Sequence, residues 1–138
     1  MIDYKKLVAE AYEAQKLAYA PYSNWLVGAA LLTKDGQIFR GCNVESYTFS
    51  PTCCAERTAI FKAVSEGQRD FAAIAVVGND RHAHEGEGEI CSPCGVCRQV
   101  MAEFCDPETF EIVLAKNHND FQVYKLKDLL PLIAATIK

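Results

Sequence analysis

Two short segments of the chain, Cys54-Ala55-Glu56 and Pro93-Cys94-Gly95-Val96-Cys97, carry three thiols and a carboxylate at spacings that suit one divided zinc site. Zinc held by three protein ligands keeps a fourth position for water, and that water ionises near neutral pH. A carboxylate is idle in a purely structural zinc knot, whereas beside an open hydrolytic site it can carry protons. Cys54, Cys94 and Cys97 are therefore the candidate metal ligands, and Glu56 is the candidate catalytic acid and base. Three thiolates around one Zn2+ leave a local charge of about −1, which weakens the metal as an acid towards its water. Arg57, next to Glu56, and Arg98, next to Cys97, are available to offset it.

The remaining thiols compete for the metal. Cys91-x-x-Cys94-x-x-Cys97, joined by Cys53 or Cys54, could build a four-cysteine structural zinc or an iron–sulfur site. Against this, Cys91 precedes Ser92-Pro93 at the expected end of a loop, and Cys53 adjoins Cys54, so one of that pair must point elsewhere. A thioredoxin-like role for Cys94-x-x-Cys97 leaves Cys54 and Glu56 unexplained. His82, His84 and His118 lack the i, i+4 spacing of a zinc-binding helix and read as solvated loop residues.

Both segments fall where a loop or strand enters a helix. Unpaired N–H groups and the helix dipole favour thiolate there. Residues two apart in a regular helix do not face each other, so Cys54 must occupy a cap-like, non-helical position with Glu56 in the first turn. Around these segments the pattern predicts a helix from Asp3 to about Tyr19 and a hairpin of Trp25–Thr33 with Gln37–Cys42. It predicts a loop over Asn43–Cys53, a helix from Cys54 to about Glu66, a buried strand over Phe71–Gly78 and an exposed acidic loop over Asn79–Ile90. A helix over Cys94–Phe104 and strands over Phe110–Ala115 and Phe121–Tyr124 follow. A closing helix to about Ile137 has Asp128 as its cap and Pro131 in its first turn. Alternating helices and strands point to an α/β sheet covered by helices on both faces.

The 138 residues, half of them apolar, suit a single domain over 1–138. No run of eighteen apolar residues is present, and the first helical stretch opens on Asp3, Lys5 and Lys6 rather than on an apolar signal. A cytoplasmic protein with no membrane partner is expected, its seven cysteines reduced rather than paired in disulfides. Fourteen basic residues against eighteen acidic ones give a net charge of −4 with no basic block. A nucleic acid partner is disfavoured, because holding a phosphate backbone takes clustered cations.

Over nearly its whole length the chain resembles the small cytidine deaminases. The segments that carry the likeness are Tyr22-Ser23, Val27-Gly28-Ala29-Ala30-Leu31-Leu32, Gly41-Cys42-Asn43-Val44-Glu45, Cys54 to Ala59, Ser92 to Val100 and Asp128-Leu129-Leu130-Pro131. The resemblance implies a three-layer α/β/α fold with a five-stranded mixed sheet, one Zn2+ per subunit, and a homotetramer whose sites are completed by neighbouring chains. It implies that Cys54, Cys94 and Cys97 bind zinc and that Glu56 shuttles protons. Asn43 and Glu45 match residues that hold ribose hydroxyls, Trp25 and Phe49 stand at positions around the substrate, and the backbone near Ala55 receives the base carbonyl. The implied activity is hydrolytic deamination of cytidine and deoxycytidine to uridine and deoxyuridine with release of ammonia, in pyrimidine salvage. Glu45 beside a ribose repels phosphate, so a free nucleoside is the expected substrate. The alternatives are a blasticidin-type cytosine-antibiotic deaminase, against which Asn43-Val44-Glu45 argues, a polynucleotide deaminase, and a non-catalytic zinc-stabilised binding module. Three positions depart from the family pattern: Phe49 replaces a frequent Tyr, Trp25 replaces the usual Phe, and Leu132-Ile133-Ala134 lacks an aromatic. The acidic stretch 79–90 is also longer than the pattern leads one to expect.

Overall fold

The computed structural model describes residues 1–83 and 90–132. Helix α1 (Tyr4–Gln15) leads into strands β1 (Trp25–Thr33) and β2 (Ile38–Cys42), then helix α2 (Ala55–Ser65) and strand β3 (Phe71–Asp80). Helix α3 (Gly95–Phe104), strands β4 (Glu111–Ala115) and β5 (Phe121–Lys125) and the single turn α4 (Leu126–Leu129) complete the order. The five strands form one mixed sheet, β2-β1-β3-β4-β5, in which β3 and β4 run parallel and the other neighbours antiparallel. This is the three-layer α/β/α arrangement with a five-stranded sheet that the resemblance implies.

The side-chain alternation of the central strands assigns the two faces. Ala30, Ala73, Ala75, Val77, Val113 and Ala115 pack against Leu7, Val8 and Ala11 of α1. On the opposite face Leu31, Ile74, Val76, Ile112 and Leu114 pack against Ala59, Ile60, Cys97 and Met101 of α2 and α3. With helices on both sides, β1 and β3 read as continuous apolar runs instead of alternating ones. Small side chains let the helices approach the sheet closely. A Cβ at Gly41 of β2 would lie 2.4 Å from both the Ala55 carbonyl oxygen and the Ala59 nitrogen, so the start of α2 rests directly on that glycine.

Asp3 caps α1 as expected, accepting from the Lys6 N–H at 3.1 Å. The helix ends at Gln15 rather than near Tyr19 because Tyr19 is used differently. Its N–H donates to the Asn43 carbonyl and its carbonyl accepts from the Glu45 N–H, both at 2.9 Å. That bridge docks the 43–45 segment against the end of α1.

The closing helix differs more. It spans only Leu126–Leu129, and Pro131 follows it instead of opening it. Leu126 is fully buried and its N–H donates to the Phe110 carbonyl at 3.1 Å, so the turn begins directly at the end of β5. Asp128 lies inside that turn and accepts from the Lys125 N–H at 3.2 Å. Pro131 disfavours helical geometry at Leu130, which is indeed non-helical at φ −142°, ψ 74°. The rest of the expected helix, from 133 on, lies outside the described residues. On the other side of the sheet β3 continues to Asp80, with a turn at 81–82; residues 84–89 of the expected acidic loop, His84 included, also lie outside.

Replacing Gly41 by Ala should destabilise the protein by ~1–3 kcal/mol, because backbone atoms of α2 stand where the methyl must go. Gly95→Ala meets nothing within 4 Å and should change stability far less. Urea unfolding of the two variants side by side checks this.

Candidate active site

Cys54 is the N-cap of α2, with φ −72° and ψ 155°, and makes no side-chain cap bond. This is the extended geometry the Cys54-x-Glu56 spacing requires, and it leaves Glu56 in the first turn, 4% exposed. Cys94 stands in the same position on α3, at φ −69° and ψ 169°, and its Sγ accepts from the Cys97 N–H at 3.5 Å. Two helix N-termini thus point at one place.

The three sulfurs converge there. Cys54 Sγ lies 3.9 Å from Cys94 Sγ, Cys94 Sγ lies 3.5 Å from Cys97 Sγ, and all three fall within 4.8 Å of one another. Thiolates bound at about 2.3 Å to one tetrahedral zinc stand roughly 3.8 Å apart. The donor set therefore fits a single zinc ion with one position left for another ligand. Cys91 and Cys53 are not part of the cluster. Cys53 Sγ instead accepts from the Thr58 hydroxyl at 3.6 Å.

The electrostatics around this trio are uneven. A hydrogen bond from Cys97 and the Arg57 guanidinium, whose Nη2 donates to Cys54 Sγ at 3.3 Å, outweigh burial and bring the Cys54 thiol down to about 5. The same bond to Cys54, together with desolvation, pushes the Cys97 thiol upward. Desolvation, reinforced by the charge of Cys54, raises Glu56 to about 7. Arg57 is the cation at the site, and its buried Nε has no hydrogen-bond partner among the described residues. Arg98, the second cation that the sequence offers, does not serve there. Its Nε donates to the Pro93 carbonyl at 2.8 Å, Nη1 to the Leu129 carbonyl at 2.5 Å and Nη2 to Ser92 Oγ at 2.6 Å.

A second group of residues gathers at the start of β1. The buried Asn43 side chain accepts from the Val27 N–H at 2.9 Å and donates to the Trp25 carbonyl at 2.8 Å. One amide hydrogen and one lone pair remain for a ligand. Glu45 accepts from the N–H groups of Tyr22 and Ser23, at 3.0 and 3.2 Å, and from Ser23 Oγ at 2.5 Å. Desolvation opposes ionisation of Glu45, but these bonds together prevail and hold its carboxyl below the usual range. Trp25 is partly exposed, and its indole nitrogen lies near Cys91 over Gly78, where a Cβ would stand 2.8 Å from Cys91 Sγ and 3.2 Å from Trp25 Nε1. Burial raises the Cys91 thiol to about 11, which keeps it protonated. Phe49 is exposed, adopts a positive φ of 66°, and stands edge-on to Tyr22 with ring centres 6.3 Å apart.

The loop 43–53 joins the two groups. Val44 and Cys53 exchange backbone hydrogen bonds at 2.9 Å in both directions, one residue before Cys54. The buried Ala55 opens α2 immediately behind it. Ser23 is a residue that type and spacing alone did not single out. Its hydroxyl bonds Glu45 and also accepts from the Trp25 N–H at 3.1 Å, and the sole signal for it was the Tyr22-Ser23 segment. The two described histidines stay apart: His118 stacks on Tyr12 with ring centres 4.6 Å apart, and His82 donates its N–H to Asp80 in the turn after β3.

Replacing Cys54, Cys94 or Cys97 by Ala should reduce zinc content from one equivalent per chain to well below it. Cys53→Ser and Cys91→Ser should leave the content unchanged. Atomic absorption on the purified variants makes the comparison.

A family model for the cytidine and deoxycytidylate deaminase zinc-binding region matches residues 1–113. The chain is 48% identical over 130 residues to a cytidine deaminase of Sporosarcina psychrophila, an alignment covering 94% of this chain and 90% of that one. It is 37% identical over 110 residues to a blasticidin-S deaminase of Bacillus cereus, covering 77% and 74% respectively. Its fold matches the crystal structure of cytidine deaminase from Burkholderia pseudomallei with a TM-score of 0.84 at 47% identity, over 97% of this chain and all of that one. The chain belongs to the cytidine and deoxycytidylate deaminase family and is a zinc-dependent hydrolytic enzyme.

Proposed function

We propose that the chain hydrolyses cytidine and deoxycytidine to uridine and deoxyuridine, releasing ammonia, as a step of pyrimidine salvage. The observation that carries the reading is the buried Glu56 in the first turn of α2, beside a thiol trio arranged for one zinc and an open position. When bound by Cys54, Cys94 and Cys97, zinc supplies Lewis acidity and a water activated near neutral pH. Glu56, poised near neutrality by burial, would take the two protons of the attacking water in turn and pass one to N3 of the cytosine and one to the 4-amino group, which leaves as ammonia while the water oxygen bonds C4 and the C4–N bond breaks. Arg57 offsets the negative charge that gathers on Cys54.

The second group of residues orients the nucleoside. Asn43 has one donor left and Glu45 one accepting position, a pair matched to a sugar hydroxyl that both accepts and donates. The ionised Glu45 disfavours a phosphate nearby, which selects nucleosides over nucleotides. Trp25 flanks the pyrimidine, Phe49 lies at the edge of the site, and the backbone at Ala55 takes the base carbonyl. The same Asn43 and Glu45 argue for a nucleoside over a blasticidin-type antibiotic.

The chain acts as one catalytic domain in the cytoplasm, where thiols remain reduced. It assembles as a homotetramer. Tyr22, Tyr47 and Phe49 form an exposed aromatic group on the segments that also carry Glu45, a surface suited to a neighbouring chain. No described helix is long and apolar enough to cross a membrane.

Glu56→Gln should retain its zinc and lose ~10²–10⁴-fold in kcat for cytidine, followed by loss of ultraviolet absorbance. A variant without zinc, or with wild-type turnover, contradicts the assigned role. Deoxycytidine should be deaminated far more efficiently than its 5′-monophosphate, and equal kcat/KM for the two would remove the nucleoside assignment.

A further inference from the structure

The two halves of the metal trio are held by different means. Cys54 follows the Val44–Cys53 bridge and touches Arg57, whereas Cys94 follows Ser92-Pro93, a stretch of irregular backbone. As an N-cap with extended geometry, Cys94 is not fixed by helical torsions at its own residue. Pro93 has no N–H, so its carbonyl is the one backbone hydrogen-bonding group available for fixing that peptide. Arg98, one turn into α3, takes that carbonyl with Nε and the neighbouring Ser92 hydroxyl with Nη2. With Nη1 it reaches the Leu129 carbonyl in the last turn of α4, a group that α4 itself leaves unpaired. The planar guanidinium fixes these three directions relative to one another, which an ammonium cannot do. α4 in turn is anchored by the buried Leu126 and its bond to Phe110.

We propose that Arg98 is a positioning residue for the metal: it clamps Ser92-Pro93 to the end of α4, so that retention of zinc at Cys94 depends on the docking of the C-terminal turn. This rests on the cysteine trio holding zinc and is independent of which substrate is deaminated. Loss of an outer partner of a metal ligand typically costs about 10- to 100-fold in metal affinity.

The test is competition for zinc between the full-length holoprotein and a chromogenic chelator, with thermal unfolding measured in parallel. Arg98→Gln should weaken zinc binding by about 10- to 100-fold. Arg98→Lys keeps the charge but not the fork and should recover only part of the loss; Ser92→Ala, which removes one of the three contacts, should give a smaller loss. Ile74→Val, a core change far from the clamp, supplies the control for a general loss of stability. Wild-type zinc affinity in Arg98→Gln, full recovery in Arg98→Lys, or an equal weakening in Ile74→Val would each overturn the clamp. If Arg98→Gln does not fold, the Lys and Ser92→Ala variants decide by the same criterion. A holoprotein that binds zinc normally but deaminates no cytosine nucleoside would refute the function proposed above and leave this inference standing.

Discussion

Three sulfurs and a carboxylate crowded into a few ångströms repel one another as soon as they ionise, and the architecture is organised around opposing that repulsion. Two helices begin at the same point, so the partial positive charge of both N-termini meets the thiolates. The Arg57 guanidinium adds a full charge against Cys54. For both helices to start there, α2 must lie flat on β2 and α3 must cross from β3 to the parallel β4. Gly41 is the residue that admits the first of these approaches. Even so, the balance is incomplete: burial raises Glu56 to about 7, and the bond to Cys54 pushes the Cys97 thiol upward. A divalent cation resolves what the protein alone leaves unsettled.

The sugar and base positions depend on a different device. Asn43 and Glu45 are tied to the backbone of β1 and of the Tyr22-Ser23 turn before they meet any ligand. The cost of ordering them is therefore met during folding, which leaves more of the ligand's interaction energy for affinity. Trp25 fits this pattern through its contact with Cys91. The small Gly78 beneath them makes room for an indole where a bulkier strand residue would collide.

What the sequence revealed and what it hid divide along the range of the interactions. Strand β1 is found at Trp25–Thr33 as predicted, because a long apolar run bounded by turn residues is a local property. The cap geometry at Cys54 was likewise implied by a two-residue spacing. Adjacency required only that one of Cys53 and Cys54 point elsewhere, and the spacing to Glu56 favoured Cys54 as the ligand. Arg98, by contrast, has the same type and neighbourhood as Arg57, and only the placement of α4 against α3 separates a clamp from a counter-charge. The start of the closing helix was misplaced for a similar reason. Its start is tied to Phe110, sixteen residues earlier in the chain, and Asp128 supports it from the third helical position instead of standing as its cap. Ser23 carried no signal of its own beyond the Tyr22-Ser23 segment, because its partner Glu45 lies 22 positions away.

The separation of Cys54 from Cys94 by 40 positions has a consequence for how the protein is made. The β1–β2 hairpin can close as soon as it leaves the ribosome, but the chain must pass through β3 to the start of α3 before Cys94 and Cys97 can meet Cys54. Such long-range pairing is slow compared with local contacts. A nascent chain that has emerged only as far as β3 displays Cys54 without its distant partners, and so cannot close the trio around an ion. Metal capture therefore waits until the start of α3 has followed β3 out of the ribosome.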